Sequence, residues 1–213
     1  MLRNPKVLLP FLTTLLLVVA LSITAIFLTK STSFTTNKLY VEPQKLFTGE
    51  LSKYAALVDG TYGALKVKYK GSKQEIGVKM ETYKNGVLTD TNALAGGLFI
   101  QDSRNGEYQF DGDYVIWIRE LKNSDTGNVN FQLKHSFTEN RSISSVQMTL
   151  DTDFKTAGRM NIEMNTPAQI TDHEEIAVWG FQATDENQMR TTDFSPEYLK
   201  NTKYAVVFKL YLH

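Results

Sequence analysis

The stretch Leu65–Leu88, LKVKYKGSKQEIGVKMETYKNGVL, decides the fold. Ile76, Val78 and Met80 alternate with Gly77 and Lys79, the period of a strand with one face buried. Asn85-Gly86, set between TYK and VL, is the strongest short hairpin signal a sequence carries, because its tight turn needs two residues that tolerate positive φ. Lys70-Gly71 marks a turn upstream. The segment therefore reads as strand, turn, strand, hairpin, strand.

The same period recurs outward from it. Val129, Phe131 and Leu133 alternate in NVNFQLK, Asn128–Lys134. Val146, Met148 and Leu150 share a face, as do Met160, Ile162 and Met164, and Tyr204, Val206, Phe208 and Leu210 near the C-terminus. Tyr114–Leu121 (YVIWIREL) and Glu175–Ala183 (EIAVWGFQA) are more continuously apolar and read as central strands covered on both faces. Strands are expected near 44–51, 62–70, 74–84, 86–91, 96–101, 107–110, 113–121, 128–137, 143–151, 157–165, 175–183 and 203–212. Phe47, Leu51, Tyr54 and Val58 sit at helical spacing, but Gly49 argues for a strand and loop there. Ser195-Pro196 suits the start of one helical turn, with Ser195 as N-cap. The spacing predicts an all-β fold, an antiparallel β-sandwich (Ig-like or jelly-roll-like) over residues 39–213.

The N-terminus is of another kind. Val7–Leu28 is a run of 22 residues without a charge, fifteen of them Leu, Val, Ile or Phe. As a helix it would span about 33 Å, close to the ~30 Å hydrocarbon core of a bilayer. It is longer than a signal-peptide apolar region, and Val18-x-Ala20 and Ser31-x-Ser33 are mediocre cleavage sites. The reading is a cytoplasmic stub at 1–6, a transmembrane signal-anchor helix at 7–28 and a Ser/Thr-rich tether at 29–38. The short basic end, with Arg3 and Lys6, stays inside, and the long end is translocated. Cleavage of the segment would give a secreted protein.

Composition narrows the function. The chain has 213 residues, 23 Lys+Arg against 23 Asp+Glu, and no cysteine. Disulfides, thiolate metal sites, cysteine nucleophiles and a lipidated-cysteine anchor are excluded. With Arg3, Lys6 and Lys30 set aside, 20 basic and 23 acidic residues remain, a net charge of about −3 that does not draw the domain to nucleic acid. No G-x-S-x-G, glycine-rich phosphate loop or H-E-x-x-H pair is present, so no catalytic residue is nominated and no cofactor is expected.

Two candidate sites remain. Asp172, His173 and Glu174 form the densest ionisable cluster and offer carboxylate and imidazole ligands to a divalent cation. Read conservatively, they are a solvated loop before a core strand. Trp117 and Trp179 offer rings on which a sugar or another small ligand can stack, although both lie in apolar strands where burial is the ordinary outcome.

Residues 65–88, EEIAVWGFQAT at 174–184 and AVVFKLYL at 205–212 resemble small membrane-tethered extracytoplasmic β-sandwich proteins of Gram-positive bacteria. The resemblance is one of strand and hairpin pattern. It implies a fold and carries over no site residue, and the chain departs from lipidated members in having no cysteine after its apolar run. The expected function is a non-enzymatic binding or interaction module at the cell envelope, held in the membrane by residues 7–28 and contacting another envelope protein or a cell-wall component. The alternatives are a domain that binds cell-wall glycan or a small ligand, and a metal-dependent enzyme using the 172–175 cluster.

Overall fold

Alternating residues can bury one face only if a second layer covers it, and two sheets supply that layer to each other. The computed structural model of the protein describes residues 37–100, 102–103, 106–122, 129–139, 142–151, 157–186 and 193–213. The stub, the apolar run 7–28 and the tether up to residue 36 lie outside the described residues. Among the described residues no helix is long and apolar enough to cross a membrane.

The strands are β1 (Lys38–Gln44), β2 (Thr61–Gly71), β3 (Glu75–Lys84), β4 (Val87–Phe99), β5 (Asp102–Ser103), β6 (Glu107–Lys122), β7 (Val129–Glu139), β8 (Ser142–Asp151), β9 (Gly158–Glu163), β10 (Ala168–Ile170) and β11 (Glu175–Thr184). A short helix, α1 (Pro196–Leu199), precedes β12 (Tyr204–Leu212). All of them belong to one unit, Thr36–His213. One antiparallel sheet has the order β10-β1-β2-β6-β7-β8, with β5 paired to β6. The other has the order β4-β3-β12-β11-β9. β3 and β4 meet through Asn85-Gly86, whose φ angles of 50° and 74° are the left-handed pair such a turn needs.

The inward rows match the periodicity. Leu65, Val67 and Tyr69 of β2, Tyr114, Ile116 and Ile118 of β6, and Phe131, Leu133 and Phe137 of β7 face Ile76, Val78 and Met80 of β3 and Val206, Phe208 and Leu210 of β12 across one core. A bulge between Ala177 and Trp179 lets consecutive residues of β11, Val178 and Trp179, both reach it. Trp179 is 1% exposed. It fills the space that a side chain at Gly63 of β2 would take: a Cβ there would stand 2.2 Å from the indole. A smaller cluster of Leu199, Ala205 and Val207, with Tyr83, Ala177 and Phe194, covers the outer face of the five-stranded sheet. The helix α1 supplies Leu199 and is capped by Ser195, whose Oγ accepts the Tyr198 N–H at 3.5 Å.

Several local expectations change. The strand expected near 44–51 lies earlier, at Lys38–Gln44, so Lys38 belongs to β1 rather than to the tether. Gly49 takes a φ of 57°, which ends extension, and Gly49–Leu57 winds into a 3₁₀ segment. The helical spacing of Phe47, Leu51 and Tyr54 was thus the better guide there. The strands expected at 86–91 and 96–101 are one strand, β4, and those at 107–110 and 113–121 are one strand, β6. β11 is covered on both faces, as expected. β6 is not: Val115, Trp117 and Arg119 are half-buried on its outer side.

The core also holds unpartnered polar atoms. Tyr114 Oη, both ring nitrogens of His135 and Trp179 Nε1 have no hydrogen-bond partner among the described residues. The rings form a chain, with His135 5.7 Å from Tyr114 and 6.2 Å from Phe208, and Phe208 6.0 Å from Trp179, centroid to centroid. Burial pushes the Tyr114 hydroxyl far up and the His135 imidazole down to about 4.

Two outcomes follow. Gly63→Ala forces the indole to move and is expected to cost about 1–3 kcal/mol in a urea melt; an unchanged midpoint would show that the Trp179 wedge is slack. His135, neutral in the fold down to about pH 4 and ordinarily protonated near 6.5, should make stability fall on acidification through that window, because only the unfolded chain takes up the proton there. Full loss amounts to about 3 kcal/mol. Urea midpoints measured across the window should therefore slope less in His135→Leu than in wild type, and parallel curves would contradict the assignment.

Candidate functional site

The inward row of β6 runs Tyr114, Ile116, Ile118 and then Glu120, so a carboxylate takes the position that the pattern gives to a core residue. It lies beside Phe131 of β7, its cross-strand partner. From the opposite sheet, Arg159 at the start of β9 reaches over and pairs with Glu120. Among the described residues this is the ion pair that joins one sheet to the other. Below it Phe131 meets Phe181 of β11 edge to face, with centroids 4.7 Å apart.

These groups surround a pocket of ≈ 330 Å³ at one end of the sandwich. Asp59, Gly60 and Thr61 complete it from the start of β2, and Ile118 and Arg119 from β6. Its volume falls at the small end of the range found for ligand sites, roughly 300–1,000 Å³. Trp117 stands beside it. The indole N–H donates to the Asp59 backbone carbonyl at 2.8 Å, fixing the ring to the pocket's edge. The Arg119 guanidinium carbon lies 5.3 Å from the Trp117 ring centroid, a cation–π placement. The register puts Lys38 level with Lys70 and Gln109. Ile118 is nine residues further along β6, so the pocket lies about 30 Å from the point where the chain enters the domain.

A second ionic group lies on the outer face of the five-stranded sheet. Glu81 is 5% exposed and accepts from Lys209 Nζ at 2.7 Å and from the Tyr83 hydroxyl at 2.8 Å. Lys79 bonds Glu175 at 2.9 Å and stands 3.7 Å from Glu81. Burial pushes the Glu81 carboxyl up, but the bonds from Lys209 and Tyr83 and the charge of Lys79 outweigh it and hold the group below its ordinary value. Burial, followed by the bond to Glu81, pushes Tyr83 up to about 12. Every member is engaged with another, and the group works as a clamp across β3, β12 and β11.

The residues nominated from sequence fall in different places. Asp172 and His173 form the turn between β10 and β11. Glu174 folds back to accept the Thr171 N–H at 2.8 Å and Oγ1 at 3.0 Å, which holds its carboxyl below the ordinary value. Glu175 is already in β11 and paired with Lys79. Among the described residues no three His, Asp or Glu side chains are grouped to hold a metal ion. Trp179 is inside the core and presents no ring to solvent. Trp117 is half-buried on the outer side of β6 and stands next to the pocket, bonded to the backbone of Asp59.

The chain matches no protein-family model, no curated protein and no solved structure.

The pocket residues Asp59, Arg119, Glu120, Phe131, Arg159 and Phe181 had escaped the sequence reading, since they come from five segments that only the sheet stacking brings together. One sign was present: Glu120 breaks the apolar inward row of YVIWIREL.

The turn at 171–174 is expected to behave as a turn. Asp172→Ala and His173→Ala should leave the metal content of the purified chain unchanged by elemental analysis, and Glu174→Ala should cost stability at neutral pH without altering metal content. Loss of a bound metal in any of the three would restore the metal-site reading.

Proposed function

We propose that this chain is a single-pass, membrane-anchored extracytoplasmic binding module of the cell envelope, and that its β-sandwich takes a small ligand in the pocket between Asp59 and Arg159. The reading is that residues 7–28 hold it in the membrane, with the N-terminus inside and the sandwich, Ig-like or jelly-roll-like in its layering, outside. The pocket carries the proposal. It opens beside the Glu120–Arg159 pair, over the edge of the core at Phe131 and Phe181, with Asp59, Gly60, Thr61, Ile118 and Arg119 completing its lining. A concave space of this size with a charge pair at its wall is a place where a small polar ligand can be held. The 22-residue uncharged run supports the anchor.

Tryptophan emission tests the binding half. Trp117 lies at the pocket's edge and Trp179 is sealed in the core, so a ligand should change the first signal and leave the second. The low-molecular-weight fraction of an envelope digest, added to the full chain, is expected to shift or quench emission. The response should vanish in Trp117→Phe and weaken about tenfold in Arg159→Ala, the ordinary loss for a charged hydrogen-bond donor. Emission that stays unchanged across the digest would refute the binding role. Protease shaving of intact cells tests the placement: the sandwich should be released while residues 7–28 stay with the membrane.

A further inference from the structure

Each sheet has two edges, and an edge strand presents a row of backbone N–H and C=O groups on which another strand can form. Three of the four edges carry features that discourage this. β10 is three residues long. β9 is six residues long and carries Arg159 and Glu163. β4 is longer, but its register against β3 shifts twice, between Ile76 and Val78 and between Thr82 and Tyr83, and such irregularities bend an edge away from a flat partner. β8 has none of these. It runs for ten residues, Ser142–Asp151, in unbroken register with β7. From Ser142 to Leu150 it holds no charged residue, no glycine and no proline. Among the described residues no strand pairs with its far side; β4 of the other sheet passes near it and pairs with β3 instead.

Packing also stops short at this edge. On β7 the inward residues Leu133, His135 and Phe137 are buried. Their cross-strand partners on β8, Met148, Val146 and Ser144, are only half-buried. On the outer face Ile143 is 72% exposed. A further strand alongside β8 covers the flank of both rows.

The strand that fits is a second β8. Antiparallel pairing sets residues of the same face opposite one another. Centred on Val146, the middle of Ser142–Leu150, it places Val146 against its own copy and Ser144 against Met148 on the inner face. On the outer face it places Ser145 against Gln147 and Ile143 against Thr149. No charge meets another in these pairs, Ser145 and Gln147 can hydrogen-bond, and the Thr149 methyl lies against Ile143. Pairing about a two-fold axis also consumes both long edges at once. The joined sheet ends on each side at β10, three residues long, so association closes at two copies. A single foreign strand would leave an outer edge of its own open.

We infer that β8 is a dimerisation edge, on which a second copy of this chain adds its own β8, antiparallel about Val146, and so joins the two large sheets into one. The inference is independent of the pocket and of its ligand.

Sedimentation velocity of the full chain in a polyoxyethylene detergent tests it over a dilution series. Wild type should sediment as a dimer that dissociates on dilution. Ser145→Glu with Gln147→Glu sets carboxylates of the two copies opposite one another twice. Within one chain both positions are exposed, and residue 147 stands across from Lys134, so the fold should keep its urea midpoint. The double variant should weaken association about tenfold or more. Ser145→Lys with Gln147→Lys should do the same, and mixing the two double variants should restore the dimer. Single cysteines read the register, since the chain has none of its own. Val146→Cys should form a disulfide between copies under mild oxidation, whereas Thr149→Cys, whose two copies would stand about 20 Å apart, should not. A wild-type chain that stays monomeric overturns the inference and leaves the edge to a foreign strand or to none. A dimer that persists in both double variants places the contact elsewhere, residues 7–28 included, and overturns it equally. Cross-linking of both cysteines alike, or of neither, overturns the pairing about Val146.

Discussion

The two sheets need each other. Each inward row, Leu65 to Tyr69 on β2 or Tyr204 to Leu212 on β12, is apolar along its whole length, and neither sheet could keep such a face in water. The indole of Trp179 occupies the space over Gly63, so the sheets come close there. The bulge in β11 belongs to the same requirement, since it turns Val178 and Trp179 together into the core. Once the sheets are stacked in this register, the position of everything at their ends is set. Glu120 meets Arg159, and Phe131 meets Phe181, because the rows that carry them are fixed further in.

What the sequence displayed was what depends on period and on neighbours in the chain. The inward rows of β3, β7 and β12 are period-two patterns and were legible. So was the Asn85-Gly86 hairpin, where two adjacent residues contain the whole instruction. Ser195-Pro196 announced α1 for the same reason. The segment 44–57 was misread because two local rules conflicted, and the positive φ of Gly49 favoured the 3₁₀ turn over extension. The two apolar strands YVIWIREL and EIAVWGFQA look alike in sequence and differ in the fold. β11 has Phe194 and Leu199 over its second face, whereas the outer side of β6 is half-open. Nothing inside either strand tells them apart, because the difference lies in what another part of the chain does. That is also why Trp117 and Trp179, matched in their surroundings by sequence, end as a pocket-edge ring and a core wedge. The pocket was less legible still, with its pieces drawn from five segments separated by up to a hundred residues and more.

The core holds its polar atoms under strain of a chemical kind. Tyr114, His135 and Trp179 are each useful as bulk, and each brings a donor or acceptor that the surrounding aliphatic and aromatic groups leave unpartnered. An unpartnered buried polar atom costs about 1–3 kcal/mol. The fold tolerates three such residues in one chain of rings in the middle of the core, with Phe208 between His135 and Trp179. The penalty is carried where burial of large side chains is greatest, which is where it can best be offset.

The two ionic groups show what separates a structural charge from an available one. Glu81 is sealed, and its oxygens are taken by Lys209 and Tyr83 with Lys79 close by. Removing Lys209 would leave the Glu81 charge buried without its nearest cation. Glu120 and Arg159 form a single pair, and the arginine side chain is 54% exposed. The Glu120 side chain is 21% exposed, so the pair lies between an open surface pair and a sealed one. Water reaches the pair, and so can anything small enough to enter the space beside it. Glu81 has its partners closed around it inside the sheet face, whereas the Glu120–Arg159 pair stands at the open end of the two inward rows, which is why a carboxylate can take the place of a core residue there.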